Sequence, residues 1–590
     1  MKKTKNLTAF ILGFSLIGSL AYAQSWNGND PDNDDWSSGL NWVGGDAPVN
    51  GGAVLLPDTL TPGTTLFDQA NLRLGSLTLN STAGSGWTID GGSETLRVIQ
   101  GGAVTTTVFS SSGSSINTIT PHFSIVQSDG SASNARITMN VAAGNSVVFN
   151  NSFSAFGIRI AGTGTTVVNG DLSFSMPDGG ATNSEVSASL NLLAGGTFRF
   201  NGSTFTSDNA FFNLANGSTL IWNSDAPLTK FIMLGADNHI VTAQNISKSA
   251  DNANLGTGPD HFGIRAGVGN AFGFSALGGV RTLDLTAPGG LVWSNQATGN
   301  TLITGNRMDL NTHSEATHQI QWISNILLRD NVEAETTSPK TIRVGDVAGV
   351  AVDAIFSGVI ADRNAGSFKN NVRTEGPGVL LLTGNNTNVG NWTVASGTLL
   401  IGGTTSGQGD FTVNSGATFG GSGTLGLASG KTVTLEQGSF LTSGRPDVDD
   451  GRGIFTITAG GVGGLDLSAI AGEGYGALRF DLAGVGSSDR LILSGGQLDI
   501  GSGLLGWDDF VFLTYAGFGE GTYTLFELQN GATLDGSLGS SISGNIGGFS
   551  GTLALDMDNN LTLTVIPEPS TYALGMGAMV LFVILLRRRR

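Results

Sequence analysis

Residues able to do acid–base or metal chemistry are sparse in this chain of 590 residues, and their spacing does not gather them. The five histidines, His122, His239, His261, His313 and His318, are scattered. Only His313 and His318 are close, and a separation of five puts two residues on opposite faces of a strand. Asp260-His261 and Glu315 stand isolated. An enzyme acting on polysaccharide needs converging carboxylates, or a Lys or Arg base, in a groove. No Gly-x-Ser-x-Gly elbow, His-Glu-x-x-His pair or phosphate-binding glycine loop is present. The expectation is a protein without catalytic residues, cofactor or metal.

Two acidic stretches bear on the metal question. Asp30, Asp32 and Asp34 occupy positions 1, 3 and 5 of an EF-hand-like loop, but position 6 is Asp35 instead of Gly and position 12 is Asn41 instead of Glu. A solvated acidic turn is the preferred reading over a loose Ca²⁺ site, and the same holds for Asp447-Val448-Asp449-Asp450-Gly451. Between residues 25 and 60, Trp26, Trp36 and Trp42 offer two readings. They form a bulky cap over the first exposed strand edges, or they form a stacking platform for glycans. The cap is preferred.

Both ends of the chain look like addresses. Met1-Lys2-Lys3-Thr4-Lys5, a short apolar run from Leu7 to Leu20 and the box Ala21-Tyr22-Ala23 make a secretory signal peptide, with cleavage between Ala23 and Gln24. At the other end stand Pro567-Glu568-Pro569, an uncharged run from Tyr572 to Leu586, and the block Arg587-Arg588-Arg589-Arg590. The prolines stop a helix from extending upstream. The apolar run approaches the roughly 17–25 residues that cross a bilayer, and the arginines stay on the cytoplasmic side.

Setting these segments aside removes seven of the 28 basic and one of the 46 acidic residues, leaving the body with a net charge of about −24. Such a surface argues against nucleic acid, whose phosphates require clustered Lys and Arg. The absence of cysteine excludes a disulfide framework and thiolate chemistry. Glycine, at 91 residues, is about twice its usual share but has no three-residue period, which excludes collagen.

The body alternates apolar and polar residues in short runs ending at Gly, Asn or Asp, as in Leu72 to Leu79 and Gly196 to Phe200. Period-two runs of this kind are strands. One phrase recurs: a small-residue turn, then Thr, then an inward apolar residue. Examples are Gly196-Thr197-Phe198, Ser218-Thr219-Leu220, Gly397-Thr398-Leu399, Ala417-Thr418-Phe419 and Ala532-Thr533-Leu534. A spacing on the order of 20 residues is that of a solenoid coil that buries its apolar side by stacking. The expected fold is therefore all-β, a right-handed parallel β-helix of ~20 coils about 100 Å long. The competing architecture is a series of β-sandwiches, which requires antiparallel hairpins.

Residues 356–430 carry a family resemblance. Phe356-Ser357-Gly358-Val359-Ile360, Glu375-Gly376-Pro377-Gly378 through Thr383-Gly384-Asn385-Asn386-Thr387, Gly390-Asn391-Trp392-Thr393-Val394 and Gly420-Gly421-Ser422-Gly423-Thr424-Leu425-Gly426 resemble the autotransporter-associated β-strand repeat. Pro377 and Val389 depart from its pattern, at positions expected to face outward or lie at an edge. The resemblance implies a β-helical passenger, yet the chain ends in one apolar segment instead of a translocator barrel. The C-terminal residues resemble the PEP-CTERM sorting signal. That resemblance implies recognition of Pro567, Glu568, Pro569 and the terminal arginines by an exosortase-type enzyme, and a single C-terminal transmembrane helix that holds the protein in the inner membrane before processing.

The organisation expected is a signal peptide at 1–23, a Trp-rich cap at 24–60, degenerate β-helix at 61–355, the recognisable repeat at 356–430, a further β region at 431–565 and the sorting segment at 566–590. The expected function is that of an exported, non-enzymatic surface or extracellular-matrix protein, handled by the secretion machinery and in contact with extracellular polysaccharide. A glycan-binding adhesin and a polysaccharide-active β-helix enzyme are the alternatives.

Overall fold

The computed structural model describes residues 23–567 and 571–588, apart from 82–85, 101–104, 113–114, 128–135, 156–157, 175–188, 194, 208–210, 229, 251–260, 266–269, 287–290, 295–302, 330–338 and 364–368. The first strand, Gln24–Ser25, begins directly after Ala23 and pairs in parallel with Ala53–Leu56. Residues 1–22 lie outside the described residues, and the signal-peptide expectation lies there with them.

The fold is all-β with long parallel sheets, consistent with a β-helix. One ladder holds 18 strands, from Thr64–Leu66 to Thr533–Leu538, and a second holds 24. At about 4.8 Å per strand the 18-strand ladder runs for about 80 Å. It passes without a break through residues 61–355 and on through the recognisable repeat.

The alternation in sequence is the alternation in burial. In Ser146–Phe149, Thr165–Val168 and Thr197–Phe200, every second residue is buried. The recurring phrases are consecutive rungs. Thr197 and Phe198 pair with Thr219 and Leu220 in one ladder, while Thr398 and Leu399 pair with Thr418 and Phe419 in another. Their apolar members, Phe198, Leu220, Leu399 and Phe419, are fully buried. Inward aromatics stack between rungs: Trp392 lies over Phe411 with centroids 5.7 Å apart and planes 2° from parallel.

Coil length departs from the expected 20 residues. In the 18-strand ladder the step runs from 19 residues (Ser146 to Thr165) to 36 (Gly273 to Asp309). The register is held by the strands, and the corners absorb the excess. Close stacking at a corner accounts for part of the glycine. A Cβ on Gly384 would lie 2.2 Å from the Gly358 carbonyl oxygen, and one on Gly423 would lie 2.1 Å from that of Gly403. Pro377 is exposed and Val389 is partly buried, so both departures from the repeat are accommodated.

Among the described strands, antiparallel pairing is confined to the C-terminal end. Leu561–Pro567 runs antiparallel to both Gly521–Gln529 and Phe549–Leu555, and Ser543–Ile546 pairs with the latter. A series of β-sandwiches would instead be antiparallel throughout. The chain then forms one helix, Thr571–Arg588, of 18 residues. Among the described residues no helix is long and apolar enough to cross a membrane. The single transmembrane helix expected from the sequence is thus met only as a helix. Its uncharged run, Tyr572 to Leu586, spans about 22 Å at about 1.5 Å per residue, short of the ~30 Å hydrocarbon layer.

Candidate functional site

Trp26, Trp36 and Trp42 are all buried, and this corrects the platform reading. Their rings meet edge to face: Trp26 and Trp42 at 5.0 Å, Trp36 and Trp42 at 5.5 Å, and Trp36 and Phe67 at 5.3 Å. Trp36 Nε1 donates to Thr65 Oγ1 and Trp42 Nε1 donates to the Trp36 carbonyl, both at 3.0 Å. Indoles enclosed in this way offer no face to a sugar. They close the N-terminal end of the core.

The acidic loop beside them is tied internally. Asp30 accepts the Asp32 N–H at 3.0 Å and the Ser38 hydroxyl at 2.5 Å, and these bonds hold its carboxyl below the usual carboxylate range. Asn41 supplies its side-chain oxygen to the Asp30 N–H and donates to the carbonyls of Asn33 and Asp35. Among the described residues no group of three or more His, Asp or Glu is placed to hold a metal ion. In the second stretch, Asp447 is taken by Arg445 through bonds of 3.1 and 2.6 Å.

Register brings together side chains that the sequence leaves apart. Arg199, Ile221, Val241 and Ser275 are successive rungs of one column on the outward side of the 18-strand ladder. The residues 311–319 double back over that column. Asn311 starts the reversal with φ of 54°, and its amide donates to the carbonyls of His318 and Asp353 at 2.8 Å. The Thr317 N–H donates to the Ala276 carbonyl at 2.9 Å, and the His313 N–H donates to Ser275 Oγ at 3.3 Å. Glu315 pairs with Arg199. Beneath this segment Ile221 and Val241, outward yet buried, are shielded from water.

His239 lies under the same segment. Its Nε2 is 2.7 Å from Ser275 Oγ, and its ring centre is 5.6 Å from that of His313. Two sequence expectations are corrected here. Glu315 is not isolated, and the histidine that meets a second one is His239, not His318. No sequence signal short of the register itself places them together. Gly273, the next rung after His239, makes the room: a Cβ there would fall 2.1 Å from His239 Nδ1.

A serine hydroxyl against a histidine nitrogen is the contact of a nucleophile and its base. Here the base is disabled. Burial, with a smaller contribution from His313, pulls the His239 pKa down to about 3, whereas a general base works best near the operating pH. Burial likewise lowers His313, with Glu315 opposing and Arg199 reinforcing the shift. Two neutral rings and a covered hydroxyl constitute packing. His122, in a different part of the body, bonds to Ser152.

At the C-terminus, Pro567 is the last residue of its strand, opposite Phe549, so the sheet extends two residues into the expected sorting segment. Glu568, Pro569, Arg589 and Arg590 lie outside the described residues, while Arg587 and Arg588 end the helix. The side chains from Met579 to Leu586 are all at least half exposed.

Comparison of the chain with family models, with curated proteins and with solved structures gives no match in any of the three.

Proposed function

We propose that this chain is an exported, non-enzymatic protein of the cell surface or extracellular matrix, built as a right-handed parallel β-helix and sorted through a PEP-CTERM-type tail. The observation that carries the reading is the C-terminal helix. Its residues Met579 to Leu586 are apolar on every side and exposed, so no part of the body buries them. A helix that is apolar all round belongs in an apolar surrounding, and a lipid layer supplies one. With Tyr572 and the last arginines drawn to the interface, thinning or snorkelling closes the gap left by a short apolar run.

The rest of the reading follows from the ladder. A long regular surface with a net charge of about −24 favours many weak contacts over one deep site. Export through the secretion machinery is supported by the basic start, the apolar run from Leu7 to Leu20 and the Ala21-Tyr22-Ala23 box. An exosortase-type enzyme is the processing partner, and extracellular polysaccharide is the surrounding with which the body is in contact. Neutral, covered His239 and Ser275 count against the polysaccharide-active enzyme.

Fractionation tests this. The truncation removes residues 568–590 and leaves Pro567 in its strand. The full chain is expected in the membrane fraction or the extracellular matrix, and the truncated chain in the soluble periplasmic or extracellular fraction. Equal membrane retention of the two overturns the sorting reading.

A further inference from the structure

The 24-strand ladder carries a groove on its outward side. Val379–Leu382, Thr398–Ile401, Thr418–Gly421, Phe440–Ser443 and Leu478–Leu482 pair in parallel in that order. Their alternation sends Leu399, Phe419, Leu441 and Phe480 into the core. It leaves Thr398, Leu400, Thr418, Thr442, Arg479 and Asp481 along a cavity of about 270 Å³. One wall is the segment from Gly444 to Gly451, and Ala351 contributes from the opposite side.

Two cations line the groove, and they differ. Arg445 is neutralised by Asp447, bonded through both Nε and an η nitrogen. Arg479 has no hydrogen bond or ion pair among the described residues. Its guanidinium carbon lies 3.9 Å from the centroid of the Phe440 ring. Phe440 is held edge-on by Tyr475, with centroids 5.7 Å apart and planes at 88°. Tyr475 is itself fixed: its hydroxyl donates to the Ser439 carbonyl at 3.1 Å and accepts the Gly438 N–H at 2.9 Å. The guanidinium is therefore oriented before any ligand arrives. In a strongly acidic body, it is a cation whose forked donors remain free.

We propose that this groove binds an acidic glycan, with the carboxylate of a uronate residue seated on Arg479. The fork of a guanidinium matches a carboxylate through two parallel bonds. Thr398 and Thr418 pair on adjacent strands and present hydroxyls about 4.8 Å apart, able to donate to and accept from ring hydroxyls. Thr442, opposite Gly420 and two residues further along, donates to the Ser443 carbonyl and keeps its oxygen as an acceptor. Asp481, two residues from Arg479 on the same face of one strand, supplies a carboxyl acceptor for a further hydroxyl. Val379, partly buried in the lining above the buried Leu400, gives the carbon face of a sugar ring an apolar surface. A simple inorganic anion would use Arg479 alone and leave the rest of this lining without a partner. A few placed polar groups around an apolar patch are the usual make-up of a small-ligand site. The glycan contact thus moves from the buried tryptophans to the opposite end of the ladder. The inference stands apart from the sorting route, since a failed fractionation result would leave the groove unchanged.

The test is calorimetric titration of the full chain in detergent with a short oligouronate and with a neutral oligosaccharide of equal length. The oligouronate is expected to bind, more weakly as salt rises, and the neutral chain at least tenfold more weakly. Arg479→Met, which keeps an apolar stem over Phe440, and Arg479→Lys, which keeps the charge but loses the fork, should each weaken uronate binding at least tenfold. Thr418→Val should weaken it a few-fold. Absence of uronate binding, equal affinity for the neutral chain, or unchanged affinity in folded Arg479→Met and Arg479→Lys overturns the proposal.

Discussion

Glu315 closes on Arg199 across 116 positions of sequence. The segment carrying Glu315 meets Ser275 through the His313 N–H, and Arg199 stands three rungs from Ser275 on the same column. The pair therefore fastens one excursion of the chain over four strands. Their side chains are 23% and 33% exposed, enough for water to screen much of the attraction.

Removing the charge with Glu315→Gln should free the 311–319 segment without unfolding the body. The expected loss is about 0.5–1 kcal/mol, felt locally. Native-state hydrogen exchange should show faster exchange of the His313 and Thr317 amides, while strand amides such as Val241 keep their protection. Unchanged exchange at His313 and Thr317 would remove the fastening role.

Gly273→Ala should act on the same place from beneath. The added carbon meets the buried His239 ring at 2.1 Å and the Asp309 carbonyl oxygen at 3.0 Å. A loss of about 1–3 kcal/mol is expected, as for other overpacked cores. Gly63→Ala, where no heavy atom lies within 4 Å, serves as the control and should change little. Urea midpoints for the two variants give the comparison.

Trp36→Ala separates the cap from the sugar platform by stability alone. Trp36 is fully buried between Trp42 and Phe67, and its indole N–H bonds to Thr65. A loss of about 3–5 kcal/mol is expected, with the earliest unfolding at the N-terminal end of the ladder. Near-wild-type thermal stability would instead return this residue to the surface.

What the sequence disclosed and what it withheld follow from the same periodicity. The inward residues of Thr197–Phe200 and Thr219–Trp222 are legible because a strand repeats every two residues, and the turn phrase marks where each strand starts. The parallel order is legible because the phrase recurs. The step between rungs is less so: corners such as those between Gly273 and Asp309 add residues without altering register. Contacts on the outward side are set by which coil an excursion happens to cover. Hence His239, Ser275, His313 and Glu315 look unrelated as a string. The tryptophans were legible as a cluster, but their burial depends on Thr65 and Phe67, which arrive with the next turn of chain. In the groove, the pairing of Arg445 with Asp447 is local and readable, whereas the stacking of Arg479 on Phe440 is fixed only by strand pairing.

Acid should stabilise one junction. Asp489 accepts the N–H groups of Gly453 and Asp481, yet burial outweighs these bonds and pushes its pKa up to about 8. Below about pH 4 both the folded and the unfolded chain hold this proton, and its contribution to stability is complete. As pH rises from there to about 8, the unfolded chain releases the proton first, so the contribution is lost. Unfolding free energy measured from pH 4 to 9 should therefore fall more steeply in the wild type than in Asp489→Asn. Equal slopes would show that this carboxyl is ionised in the folded state.

The last strand has a mechanical consequence. Leu561–Pro567 is hydrogen-bonded on both sides, to Gly521–Gln529 and to Phe549–Leu555, and its final residue is the one from which the tail departs. Tension applied to the residues beyond Pro567 is then drawn along the strand axis and shared between two rows of bonds in shear, instead of opening one row bond by bond. Because the strand is interior to its sheet, load on residues 568–590, or their removal, leaves both rows of bonds in place.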